Sequence, residues 1–213
     1  MANVSRINGF NPVKHVNGSP YNGQANVYAH SSSDSTALFV GDVVKLAADG
    51  NAQGIQYVTA ATAGTAGTGA AAVGVVVGVI NTKLDPITGK MTNGSIALDT
   101  PQYVPASVEQ YLLVADATDV IYEVEATTAG ASYSFAVADI GLNANLYAGA
   151  GSTATGNSAY SLDCADKATT ATLPFKIVGT SQKVGNEPTG AATKVLVQLN
   201  NSQFKGGTGT VGV

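Results

Sequence analysis

Charge is what this chain of 213 residues has least of. Lys, Arg, Asp and Glu make up 11% of it, under half the share of about 25% usual in soluble globular domains. Ten basic residues stand against 14 acidic ones, a formal net charge of -4, and no basic run occurs. Phosphate backbones demand clustered cations, so nucleic acid is not an expected partner. The single cysteine, Cys164, excludes an internal disulfide framework and a Cys-based zinc site. Two histidines, His15 and His30, are too few for a His-based metal centre, and no cofactor is expected. Tryptophan is absent, which weakens a sugar-binding platform. The longest apolar run, 70–80, is interrupted by Gly74 and Gly78 and falls short of a membrane-spanning helix, so no membrane partner is expected. The first residues lack a charged region followed by an apolar one, so no signal peptide is expected.

Small residues fill the space that charge leaves. Ala, Gly, Val and Thr supply about half the chain, well above ordinary usage. A surface built of such residues is a liability for a free monomer, because mixed charge keeps proteins apart. It suits a protein that lies against another protein.

Residues 1–36 read as an extended N-terminal arm. Three Asn-Gly pairs (Asn8-Gly9, Asn17-Gly18, Asn22-Gly23) and two prolines (Pro12, Pro20) favour turns and oppose helix. Aromatic and basic residues are spaced along it: Arg6, Phe10, Lys14, His15, Tyr21 and Tyr28. With little of its own to bury, such a segment is expected to run over a surface. These six residues are the candidate partner contacts.

Residues 37–205 read as a β-sandwich. Short strands are expected at 40–46, 56–60, 70–80, 111–115, 120–126, 141–147, 160–163, 174–181 and 194–199, with no helical period. Val73, Val75, Val76, Val77, Val79 and Ile80 form a run without polar alternation, which suits a strand buried on both faces. Val120, Tyr122 and Val124 alternate with Glu123 and Glu125, the period of a half-buried strand. Segments 60–72 and 149–158 are of low complexity and read as loops, and 206–213 as a flexible tail.

No motif completes a catalytic site, and no enzyme activity is expected. Gly64 to Gly69 lacks the Lys and the helix of a phosphate loop, and Gly89-Lys90-Met91-Thr92 lacks the upstream glycine. Gly74 and Gly78 read as close backbone approach within a strand. Asp116, Asp119, Glu123 and Glu125 form an acidic cluster that reads as a turn followed by a solvated strand face. Both histidines read as surface hydrogen bonders. Cys164 has acidic neighbours in sequence, which push a thiol away from reactivity.

The whole chain resembles the capsid decoration, or cement, proteins of tailed bacteriophages. The resemblance lies in Arg6-Ile7-Asn8-Gly9-Phe10-Asn11-Pro12-Val13-Lys14-His15, continued by Gly18-Ser19-Pro20-Tyr21-Asn22-Gly23-Gln24-Ala25. It extends to Val40-Gly41-Asp42-Val43-Val44-Lys45-Leu46, to Gly74-Val75-Val76-Val77-Gly78, to Tyr111-Leu112-Leu113-Val114-Ala115-Asp116 and to the Thr-Gly-Thr-Val-Gly-Val ending. It implies an all-β, jelly-roll-like sandwich on the outer surface of the virion's icosahedral head. There it would tie together capsomers of the phage major capsid protein, without a cofactor or a chemical step. A homo-oligomer is implied, with dimer and trimer both open. Removing residues 2–23 is then expected to leave a folded domain that no longer binds heads. Two rival readings remain: a head or tail fibre module whose tyrosines bind host-surface glycans, and a hydrolase using Asp116 and Asp119.

Overall fold

The computed structural model describes residues 3–63, 71–80, 101–205, 209, 211 and 212. Among these the chain is all-β, as expected, with one short 3-10 turn at Val137–Asp139. The strands are β1 (Asn11–His15), β2 (Asn26–His30), β3 (Val43–Gly50), β4 (Gln56–Ala60), β5 (Gly74–Ile80), β6 (Gln110–Ala115) and β7 (Val120–Thr128). They continue with β8 (Ala131–Ser132), β9 (Asn143–Tyr147), β10 (Ser161–Ala168), β11 (Phe175–Thr180) and β12 (Lys194–Leu199).

Two sheets form. β2-β4-β3-β5-β6 close into a barrel. β1-β7-β10-β9-β11-β12 form the larger sheet, with β8 beside β7. Pairing of β12 back to β7 makes a second hydrogen-bonded circuit through β7, β10, β9, β11 and β12. Closure matters because it leaves few unpaired edges to template aggregation. Most pairs are antiparallel, but β2–β4 and β7–β10 are parallel. The finer jelly-roll expectation is not established by these strand orders.

Two cores account for the valine-rich run. Val43 and Val75 enter the larger core with Tyr122, Phe135, Phe175 and Leu199. Val44 and Val76 enter the barrel core with Leu38, Val104, Leu112 and Val114. Successive strand residues point to opposite faces, so a strand between two cores needs apolar residues at both parities. Gly74 is forced by proximity: a Cβ there would stand 2.2 Å from the Ala115 carbonyl oxygen. Further along, Val77 to Ile80 are only partly buried. β7 meets its expectation on one side, with Val120, Tyr122 and Val124 in the core.

The N-terminal segment departs from the arm reading. β1 pairs with β7, from Asn11 opposite Glu123 to His15 opposite Val120. β2 pairs with β6 through five residues and so closes the barrel. Phe10 lies in the larger core, 2% exposed, and stacks on Phe175 with centroids 4.5 Å apart. The strand-forming domain therefore begins well before residue 37. The segment has little apolar content of its own, but sheets built by distant strands give it partners. The readings placed on 64–69, on 89–92 and on most of 206–213 lie outside the described residues.

Candidate functional site

The chain crosses from one sheet to the other in the turn between β6 and β7, at Asp116 to Asp119. Three of the candidate contact residues, His15, Tyr21 and Tyr28, gather around this crossing. Asp116 accepts hydrogen bonds from Asn26 Nδ2, at 3.0 Å to Oδ1 and 2.9 Å to Oδ2, and from the Tyr28 hydroxyl at 2.7 Å. His15 Nδ1 lies 3.1 Å from Asp119 Oδ2. The His15 and Tyr21 rings are tilted at 37°, centroids 6.1 Å apart. The Tyr21 hydroxyl donates to the Gln24 carbonyl at 2.7 Å, and the Tyr122 hydroxyl to Ala115 at 2.8 Å. Burial pushes the Tyr28 hydroxyl far above its ordinary range, and its hydrogen bond to Asp116 adds to the rise. Tyr21 is raised for the same first reason, followed by the Asp116 charge. These phenols are neutral donors, and the crossing is a buttress between sheets.

Three of the six candidate contacts are therefore corrected. Phe10, His15 and Tyr28 are buried within this chain and cannot meet a partner on its surface. Arg6 is exposed, and Lys14 and Tyr21 are partly so. The acidic cluster is corrected as well. Asp116 and Asp119 serve different neighbours, and Glu125 is buried rather than solvated. Glu123 is held by the Lys183 ammonium at 2.9 Å and by the Ser181 hydroxyl.

Glu125 is buried because the first residues cross over it as a strap. Its Oε1 accepts the Ser5 hydroxyl at 2.7 Å, and its Oε2 the Arg6 N–H at 2.8 Å. Lys194, opposite Glu125 in the sheet, donates from Nζ to the Arg6 carbonyl at 2.8 Å and to Asn8 Oδ1 at 3.1 Å. Asn3 Nδ2 reaches the Glu187 and Ala191 carbonyls, and the Glu187 N–H returns to Asn3 Oδ1 at 2.6 Å. The strap then turns inward at Gly9, whose φ of +77 suits glycine. A Cβ at Gly9 would stand 2.6 Å from both the Gly41 oxygen and the Ser158 Cβ. No local sequence signal could reveal this site, because its partners lie more than a hundred residues apart.

Other ionisable groups are spoken for by structure. His30 is fully buried rather than at the surface, a further correction. Its Nδ1 lies 2.8 Å from the Val108 carbonyl and its Nε2 2.9 Å from the Thr36 carbonyl. Asp34 Oδ2 stands 3.5 Å from Nε2, so the ring is held on both sides by polar groups. Burial pushes the Asp42 carboxyl up to about 6, against hydrogen bonds from Ser158 and from the Phe39 N–H. Burial also pushes the Cys164 thiol up to about 12, with Asp139 adding to the rise. Among the described residues no three His, Cys, Asp or Glu side chains gather as metal ligands. Among them, too, no helix is long and apolar enough to cross a membrane.

Comparison with family models, with curated proteins and with solved structures finds no match to this chain. The geometry by itself defines an all-β protein whose polar clusters fasten one strand to another.

Proposed function

We propose that this chain is a structural virion protein that binds the outside of an expanded phage head and stabilises contacts between capsomers of the major capsid protein. It acts as a homo-oligomer without cofactor or chemical step. The observation that carries the reading is a surface short of charge that also exposes large apolar side chains. Val184 is fully exposed, and Val4, Val137, Phe204 and Val211 are each more than half exposed. Scattered single apolar residues are ordinary, but with 11% charge they are not diluted as they are on a typical monomer. The opening Arg6-to-Ala25 segment, on which the resemblance rests, supports the same reading. Its role differs from the one expected of a free arm. It stiffens the subunit, so contacts come from a preformed surface and little ordering entropy opposes binding. Symmetry then multiplies weak contacts into avidity.

Co-sedimentation with expanded heads stripped of their outer proteins, beside unexpanded procapsids, tests this. Saturable binding to expanded heads at a symmetry-defined copy number is expected, and that number separates dimer from trimer. Absence of binding to either particle, with saturable binding to host glycans, overturns it in favour of a fibre module.

A further inference from the structure

The strap places three side chains in an arrangement whose chemistry the fold does not otherwise use. Lys194 Nζ lies 3.1 Å from Asn8 Oδ1. The amide carbon of Asn8 is then at most about 1.2 Å further off, one carbonyl bond. Lys194 and Glu125 are register partners on antiparallel strands, and such partners project from the same face of the sheet. Glu125 is 3% exposed and its carboxylate is fixed by Ser5 and Arg6. A primary amine and a carboxamide thus meet on the sheet face that also carries the buried carboxylate.

We propose that Lys194 and Asn8 become joined by an intramolecular isopeptide bond that forms spontaneously once the chain has folded, with Glu125 relaying the proton. The Nζ–Cγ bond forms, the Cγ–Nδ2 bond breaks, and the former carboxamide nitrogen leaves as ammonium. The lysine ammonium and the carboxamide together supply all the protons, so no oxidant, reductant or co-reactant is needed. Attack requires the free amine, and held geometry supplies the proximity that the reaction lacks in solution. The surroundings favour that form. Burial lowers the Lys194 pKa, and the Lys183 and Arg6 charges act in the same direction, while Glu125 and Glu123 oppose them. A carboxylate oxygen accepts more than one hydrogen bond, so Glu125 keeps acceptor capacity beyond its contacts with Ser5 and Arg6. The product would bind the strap to β12 and close a loop of nearly the whole chain. This inference is independent of the virion reading.

Peptide mapping of the purified full chain by mass spectrometry under denaturing conditions tests it. The expected result is one branched species joining the Asn8 and Lys194 peptides, lighter than their sum by one ammonia. Lys194→Ala and Asn8→Ala should each abolish it while circular dichroism stays β-rich. Glu125→Gln should slow its appearance at least tenfold after refolding, and a purely structural Glu125 would leave the rate of cross-linking in the folded fraction unchanged. Two unlinked peptides of full mass in the wild type overturn the proposal. So does loss of ammonia confined to the Asn8 peptide, which marks a succinimide at Asn8-Gly9 instead.

Discussion

Phe10 stacks face to face on Phe175, at 4.5 Å between centroids and 24° between planes. One residue precedes the first strand and the other opens β11, so the contact joins chain regions 165 positions apart (175 minus 10). Phe10→Ala should therefore cost about 3–5 kcal/mol of stability, the usual penalty for emptying a buried aromatic site. Urea unfolding of the variant beside wild type reads this directly. A change below about 1 kcal/mol would show that the segment is a dispensable arm after all. By the same reasoning, removal of residues 2–23 should unfold the larger sheet, since it takes away β1 and Phe10 together.

Gly9 and Gly41 cross at a point with no room for a side chain. Gly41 has a φ of +99, and a Cβ on it would stand 2.9 Å from the Asn8 carbonyl. Gly41→Ala combines left-handed backbone strain with displacement of the strap. It should destabilise by about 2–4 kcal/mol, more than strain alone provides. Gly23→Ala is the control. Its φ is +86 but nothing lies within 4 Å, so it should lose only the strain component, about 1 kcal/mol. Equal losses at both positions would contradict the crowding seen at the crossing.

Asp42 sets a pH dependence with a definite sign. Its carboxyl is raised from 3.8 to about 6, so between those values the folded chain holds a proton that the unfolded chain has released. Stability from this group is fully present below the lower value and is lost as pH rises through the upper one. Two pKa units correspond to about 3 kcal/mol. Asp42→Asn removes the titration, so wild type minus variant stability should fall by about that amount between pH ~4 and ~7. Chemical denaturation across that range measures it, and a pH-independent difference would rule the effect out.

Cys164 should resist alkylation in the native protein. The thiol is 1% exposed and raised to about 12, so little thiolate exists at neutral pH and little of it is reachable. Iodoacetamide labelling followed by mass spectrometry should show slow native labelling and rapid labelling in denaturant. Fast native labelling would place Cys164 outside the core.

Much of the local structure was legible without coordinates. β4 and β12 match the expected spans residue for residue, and β6 and β7 begin within a residue of theirs. The alternation of Val120, Tyr122 and Val124 with Glu123 and Glu125 fixed which face of β7 is apolar, because strand side chains alternate with period two. The valine run announced a strand covered on both sides, and it lies between two cores. Composition, periodicity and turn residues are local properties, and they determined the all-β class.

Only the tertiary structure decided what the first thirty residues do. Asn-Gly pairs, scattered aromatics and little apolar content describe a segment with little of its own to bury. Whether it stays free depends on Phe175, Glu125, Lys194 and Asp116, which lie 88 to 188 residues away from the side chains and backbone groups they hold. Glu125 illustrates the point. Its position on a strand made it outward-facing, and outward commonly means solvated. The strap covers that face, and long-range pairing turns an apparent surface charge into a buried anchor. Burial is a property of what comes to lie on top, and no window of neighbouring residues contains it.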